Sequence, residues 1–354
     1  MARVAFYAPM KSPNHPVPSG DREMARYLMA AIGAEGDPVS LVSELRLYDK
    51  AGDPAVQTGL LEDARTEANR LIAQLPDFDI WVTYHNYYKA PDLLGPAVCK
   101  ARGRPYVQIE STRASSRLKG PWKGFAKAAH EACDAADVIF YPTANDLITL
   151  DRDRFGNQTL VNLPPFLPRD DLPEPSTDTG AMLTVAMMRE GDKLASYRII
   201  ADTLAELGGD WRLDIAGDGP ARSQVEALLS RFGDRVKFLG QLDREDLTAA
   251  YARASLFLWP GVNEAYGMVY LEAQAAGVPV AAQDRPGVRD VVCPGHCPDP
   301  ETGPKGLADC ISKILESRQA QSDMARDYVA SRHLRPAATH KFWAACRPLT
   351  EDRT

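Results

Sequence analysis

The sequence predicts an α/β protein built from two doubly wound parallel-sheet domains. Short apolar runs alternate along the chain with longer segments whose apolar residues recur every three or four positions, the pattern of strands crossing over to helices. The alternation breaks at Leu163-Pro-Pro-Phe-Leu-Pro168-Arg-Asp-Asp-Leu-Pro-Glu-Pro175, dense in proline and acid, and then starts again. At 354 residues the chain has room for two ordinary cores. The expected division is a first domain over 1–164, a semi-rigid linker over 165–181, a second domain over 182–333 and a last helical segment over 334–354.

A hydrophobic fraction of 45% and a charged fraction of 25% suit a globular protein, and a formal charge of −7 argues against bulk nucleic-acid binding. No apolar run approaches the length that spans a bilayer, and the N-terminal apolar stretch is too short for a signal peptide. A cytoplasmic protein is expected. Cys99, Cys133, Cys310 and Cys346 stand singly among apolar residues and read as reduced core thiols. Cys293-Pro-Gly-His296-Cys297 gathers three soft ligands, but no second cluster completes a zinc set, so a turn without metal is expected.

In the first half, Arg3 to Ala8 reads as a strand and Pro9 to Pro18 as a loop, and Ser19 is placed to cap a helix running to Ile32. Gly20 at that helix start permits close approach of a ligand. The G-x-G-x-x-G spacing of nicotinamide and flavin sites is absent. A helix over 55–75 leads to a strand over 78–83, and the next helix is expected near Ala90-Pro91. His85 falls at the carboxyl end of that strand, where doubly wound sheets gather their active groups, and histidine titrates near neutral pH. Further strands are expected over 104–110, ending at Glu110 on the same side, and over 137–141 and 158–163, with a helix over 143–155. Between them Lys100, Arg102, Arg104, Arg113, Arg117, Lys119, Lys123 and Lys127 are opposed only by Glu110 and Glu131, with Trp122 and Phe125 interspersed. That stretch reads either as a solvated face or as a surface for a phosphate-bearing acceptor or an anionic membrane.

The second half restarts with a strand over 182–187 and a helix over 194–207, so Arg189 and Lys193 stand in the first strand-to-helix connection. A strand over 212–216 ends in Gly217-Asp218-Gly219, and one over 236–239 ends in Gly240-Gln241-Leu242. The most informative stretch follows. Leu256 to Trp259 is apolar and stops at Pro260-Gly261, and a helix then begins at Gly267 and ends at Gly277. Free N–H groups of its first turn, at Gly267, Met268 and Val269, form a seat for an anion. Glu264 and Glu272 flank that seat and would repel the anion, so they suit uncharged hydroxyls. A phosphate bearing a sugar on each side, as in a nucleotide sugar, matches all three features. The rest of this half is expected to be helical over 307–315, 319–330 and 334–346.

Glu264-x7-Glu272 with Ala273-x-Ala275-x-Gly277-Val-Pro279-Val resembles the donor-site motif of the family 4 glycosyltransferases, retaining enzymes of the GT-B fold, in which two Rossmann-like domains face a central cleft. The resemblance implies that the second domain holds a nucleoside diphosphate sugar, the first an acceptor, and that the last helix crosses back to the first domain. It implies transfer of a hexose or deoxyhexose to a hydroxyl of a glycan, lipid-linked or small-molecule acceptor, with retention and without metal or other cofactor. Lys193, Arg189 and the helix start at Gly267 would stabilise the leaving diphosphate. Glu264 would bind sugar hydroxyls, Glu272 the ribose, Leu242 the base, Gly20 and Gly217 the donor's surroundings, and His85 the sugar near the acceptor.

Three departures stand out. Asp21 replaces the second of two adjacent glycines, Met187-Met188-Arg189 replaces a Gly-Arg-Leu pattern, and a further glycine-rich loop beyond Asp284-Arg-Pro-Gly287-Val-Arg289-Asp290 is missing or shortened. Asp77-Phe-Asp79 and Asp151-Arg-Asp153 spell a metal-binding Asp-x-Asp but do not fall at strand carboxyl ends, so they read as solvated acids. The rival readings are a nucleotide-sugar epimerase or a phosphorylase of the same architecture, and a catalytically inactive nucleotide-sugar-binding protein. Localisation is expected to be cytoplasmic, with peripheral contact at the inner membrane face through residues 100–127.

Overall fold

The computed structural model describes every residue but 18, 178–179, 296 and 352–354, so His296 lies outside the described residues. The chain divides into two compact units, Met1–Pro164 with Arg335–Thr354, and Pro165–Leu334.

In the first unit, β1 (Val4–Tyr7) is apolar and fully buried, as a strand covered on both faces must be. α1 (Gly20–Ile32) starts where Ser19 accepts the Arg22 N–H at 3.3 Å. β2 (Val39–Ser43), α2 (Pro54–Gln74) and β3 (Ile80–Asn86) follow, then α3 (Gly95–Arg102), β4 (Tyr106–Ser111), α4 (Lys123–Ala135), β5 (Val138–Tyr141), α5 (Ala144–Arg152) and β6 (Thr159–Asn162). The strands form one parallel sheet in the order β2-β1-β3-β4-β5-β6. The order reverses at β1, so the switch point lies between β1 and β3, where such sheets bind ligands.

Three expectations change here. β3 runs on to Asn86, placing His85 inside the strand. α3 begins at Gly95 and not near Ala90, because Tyr87 and Ala90 pair in a bridge and the Asp92 carboxylate takes the N–H groups of Leu94 and Gly95 at 2.8 and 2.9 Å. Residues 123–127 belong to α4, whose inner face buries Phe125 and Ala126.

The second unit contains β7 (Met182–Val185), α6 (Asp192–Glu206), β8 (Leu213–Ala216), α7 (Arg222–Leu229), β9 (Val236–Gly240), α8 (Arg244–Arg253), β10 (Phe257–Leu258), α9 (Met268–Ala275), β11 (Val280–Ala281), α10 (Val288–Val291), α11 (Gly303–Glu316) and α12 (Arg318–Arg332). Its parallel sheet has the order β11-β10-β7-β8-β9, with the switch between β7 and β10. The segment before β7 does not stand free. Leu167 pairs with Leu334, and the Ser176 N–H bonds the Ala276 carbonyl at 2.7 Å.

The last helix, α13 (Arg335–Glu351), packs within the first unit. Phe342 stacks on Phe140 at 5.4 Å, Trp343 donates to the Ile32 carbonyl at 3.0 Å, and Arg347 holds the buried Asp37 at 2.6 Å.

Candidate functional site

In the second unit, the connections that follow β7 and β10 meet at the switch point. Asp192 and Lys193 open α6, and Glu264 sits in the turn after β10. The turn is pinned to α6 by two contacts, Val262 N–H to the Ser196 hydroxyl at 3.1 Å and Asn263 to Asp192 at 2.9 Å. Asn263 holds φ 52°, an uncommon conformation for a side-chain-bearing residue. These restraints bring the Lys193 ammonium onto Glu264 Oε1, and the Trp259 indole N–H donates to the same oxygen at 2.8 Å. The Trp259 ring is fully buried against Tyr197 at 5.3 Å, and Lys193 lies over it at 5.2 Å. Arg189, Glu190, Asp192, Lys193, Val262, Asn263 and Glu264 line an open cleft of about 400 Å³. A lysine and a carboxylate on its wall can serve a phosphate and hydroxyls respectively.

Gly267 caps α9 with φ 68°, and a Cβ there would come within 2.8 Å of the Tyr270 ring. Glycine is required at this bend, and the N–H groups that α9 cannot satisfy itself include those of Met268 and Val269. Glu272 lies on the second turn of α9 and bonds the Tyr251 hydroxyl at 3.1 Å. Burial raises its carboxyl above the usual range, with Tyr251 and Arg244 opposing in part.

Other residues assigned from sequence fall less directly on the cleft. Arg189 lines it but is exposed and makes no ion pair among the described residues. Gly217 has φ 141°, and a Cβ there would collide with the Ala186 carbonyl, so it lets the loop after β7 lie against the end of β8. Leu242 packs half-buried against the core of the unit.

In the first unit the switch point assembles Gly20, Asp21, His85 and Glu110. Gly20 has open space where a Cβ would stand. Asp21, the departure from a second glycine, accepts or shares a proton with His85 Nδ1 at 3.1 Å. His85 and Glu110, near the ends of adjacent strands, hold φ 65° and 58°, so both side chains are aimed by left-handed backbone. Such strain persists only where surrounding structure imposes it, and it concentrates at functional sites. Burial disfavours the imidazolium, yet the charges of Glu110, Asp21 and Asp146 outweigh it and raise the His85 pKa. Burial likewise raises Glu110, with His85 opposing. For Asp21, burial is outweighed by the His85 hydrogen bond and charge, and its pKa falls.

Residues 196–328 match the family model described as glycosyl transferases group 1. The similarity supports the glycosyltransferase family. The chain is 30% identical over 141 residues to the sulfoquinovosyl transferase SQD2 of Arabidopsis thaliana, covering 36% of this chain and 26% of that protein. It is 34% identical over 251 residues to an exopolysaccharide phosphotransferase of Streptomyces coelicolor, covering 68% of this chain and 25% of that protein. The chain thus spans about a quarter of the length of these two relatives. Among solved structures, sucrose-phosphate synthase from Thermosynechococcus elongatus superposes with a TM-score of 0.69 at 18% identity, covering 98% of this chain and 99% of the other. The fold class is therefore GT-B: two Rossmann-like α/β domains with parallel sheets of six and five strands.

The remaining acids and thiols have other occupations. Asp77 and Asp79 both bind Arg3 at 2.8 Å, and Asp77 also holds Arg104 at 2.7 Å. Asp153 pairs with Arg152 at 2.5 Å. All six cysteines are free thiols. Among the described residues no helix is long and apolar enough to cross a membrane.

Sequence reasoning passed over Trp259 and Asn263 as site residues. Trp259 closes an apolar run and reads as core, and only the turn after it reveals that its N–H faces Glu264. Asn263 precedes Glu264 and carries no motif of its own.

Proposed function

We propose that the protein is a retaining, metal-independent glycosyltransferase that moves a hexose or deoxyhexose from a nucleoside diphosphate sugar to an acceptor hydroxyl. The observation that carries this reading is the Lys193–Glu264 pair, held by Trp259 on the wall of the cleft beside β7 and β10. A cation and a carboxylate that neutralise each other without ligand can be separated by a donor that offers phosphate to one and hydroxyls to the other. Lys193, with Arg189 and the N–H groups at Gly267, Met268 and Val269, then meets the charge that grows on the diphosphate as the glycosidic bond breaks. Glu264 fixes the sugar by its hydroxyls, and Glu272 receives the ribose. In the transfer the bond from the anomeric carbon to the phosphate oxygen breaks and a bond to the acceptor oxygen forms on the same face. The acceptor proton passes to the departing phosphate, so no separate base is required. His85, oriented by Asp21 in the first unit, serves the sugar and acceptor.

The test is a thermal-shift panel of nucleoside diphosphates and their sugars, followed by product analysis with the donor that stabilises most. Sugar transfer releases a nucleoside diphosphate. One relative bears a phosphotransferase name, and transfer of a sugar phosphate would instead cleave the pyrophosphate and release a nucleoside monophosphate. No stabilisation by any nucleotide, or release of monophosphate, would overturn the reading.

A further inference from the structure

Beside His85 in the first unit, a run of rings leads away from the switch point. His85 lies 4.9 Å from Tyr87, Tyr87 5.5 Å from Tyr88, and Tyr88 5.6 Å from Trp122, centroid to centroid. Two cations share the last two rings. Lys89 Nζ stands 5.7 Å from the Tyr88 centroid and 5.3 Å from that of Trp122, and the Arg117 guanidinium stands 5.1 and 5.5 Å from the same two. Neither cation has a carboxylate partner among the described residues. Like charges drawn to one place repel, and aromatic faces offset this only in part.

The arrangement is built, not incidental. The Asp49 N–H bonds the Lys89 carbonyl at 2.9 Å, and the Asp49 carboxylate takes the N–H groups of Ala51, Gly52 and Asp53 at 2.9 to 3.0 Å. The same carboxylate receives Gln57 Nε2 at 2.8 Å, and that nitrogen also donates to the Pro121 carbonyl at 3.0 Å. Asp49 is thereby fully used, and it fixes the Lys89 backbone and the Pro121-Trp122 turn together. Gly52, at φ 77°, admits that turn, since a Cβ there would come within 2.6 Å of Pro121 and 3.2 Å of the Trp122 ring. The Trp122 indole N–H is shielded from solvent and has no hydrogen-bond acceptor among the described residues.

We propose that Lys89, Arg117, Tyr88 and Trp122 form a subsite for a phosphate group carried by the acceptor, with the rings covering the carbon skeleton that bears it. The assignment rests on the reading of His85 as lying by the acceptor. Paired cations supply charge-assisted hydrogen bonds to a phosphate, and the ring faces suit a sugar or polyol. The phosphate can belong to a free sugar phosphate or to a lipid headgroup.

The experiment uses the full chain and the Lys89→Gln/Arg117→Gln variant. Binding is measured by titration calorimetry with glucose 6-phosphate against glucose, and by sedimentation with vesicles of phosphatidylglycerol against phosphatidylcholine. Nucleoside diphosphate binding is followed in parallel. The phosphorylated probe is expected to bind at least about tenfold more tightly than its neutral counterpart, with the preference lost in the double variant and retained in large part by Arg117→Lys. Preference for glucose 6-phosphate alone supports a soluble acceptor, and preference for phosphatidylglycerol vesicles alone supports a lipid one. Equal binding of charged and neutral probes, or a preference that survives in the double variant, overturns the subsite. If the phosphate preference depends on Lys89 and Arg117 but no nucleotide binds, a phosphate site stands there, while its assignment to an acceptor and the glycosyltransferase reading both fall.

Discussion

The indole N–H of Trp259 reaches Glu264 Oε1 at 2.8 Å, the oxygen that Lys193 also engages, so one buried ring orients the carboxylate and carries the ammonium over its face. Trp259→Phe keeps a ring beside Tyr197 and removes the N–H donor. A hydrogen bond to a charged group contributes about 1.5–3 kcal/mol, so turnover is expected to fall roughly ten- to a hundredfold. Diphosphate affinity should barely change. Steady-state kinetics beside a thermal shift with the nucleoside diphosphate alone checks both halves.

Lys193→Ala and Glu264→Gln separate the two ends of the donor. Loss of the ammonium should weaken binding of the nucleoside diphosphate itself and depress turnover by roughly two to three orders of magnitude, as removal of a charge-stabilising group does. Glu264→Gln should leave diphosphate binding intact and act on the sugar, lowering turnover without loss of the thermal shift. Equal effects of both variants on diphosphate affinity would break this division.

Gly287 has φ 81°, and a Cβ there would run into the backbone carbonyl oxygens of Ala265 and Glu264. Gly287→Ala must push away the turn that carries Glu264 or force strain into its own backbone. A loss of about 2–4 kcal/mol is expected in urea unfolding, together with loss of the donor-induced thermal shift. Gly20→Ala, where a Cβ meets open space, is the control and should stay within about 1 kcal/mol of wild type.

Much of this was legible in the sequence, for identifiable reasons. Buried parallel strands announce themselves as apolar runs, which is why β1, β3, β5 and β8 are placed to within a few residues. Helix starts are legible where a cap is local, as at Ser19. β2 was missed because it is an edge strand, Val-Ser-Leu-Val-Ser, mostly half-exposed and without a continuous apolar run. The start of α3 is not legible because the N–H groups of Leu94 and Gly95 are taken from upstream by Asp92, whose side chain is drawn inward by Thr83 and Tyr106 at 2.5 and 2.7 Å. The same limit governs the site. Glu264 and Glu272 stand in one motif and Lys193 in a strand-to-helix connection, whereas the link from Asp21 to His85 joins residues 64 apart and exists only once β1 and β3 lie side by side. Asp21 looked like a lost glycine, and in the folded chain it is the histidine's partner.

That partnership has a pH signature. The His85 pKa is raised in the folded protein, so its contribution to stability is complete below the ordinary value of about 6.5 and is lost as pH rises through the folded value. The Asp21 pKa is lowered, so its contribution is complete above about 3.9 and is lost as pH falls through the folded value. The pair therefore stabilises most between about pH 4 and 6.5. Glu110, raised by burial, adds to the loss on the alkaline side, because the folded state holds its proton more tightly than the unfolded chain does. Asp21→Asn removes a charge and a charged hydrogen-bond acceptor that hold the imidazolium, and Glu110→Gln removes a second charge. Both variants should lower the titration midpoint of the His85 ring in NMR spectra of histidine-labelled protein. Since the three groups titrate together, the midpoints belong to the cluster and not to His85 alone. An unchanged midpoint in both variants would show that these carboxylates do not govern the histidine, and that its left-handed backbone alone sets its orientation.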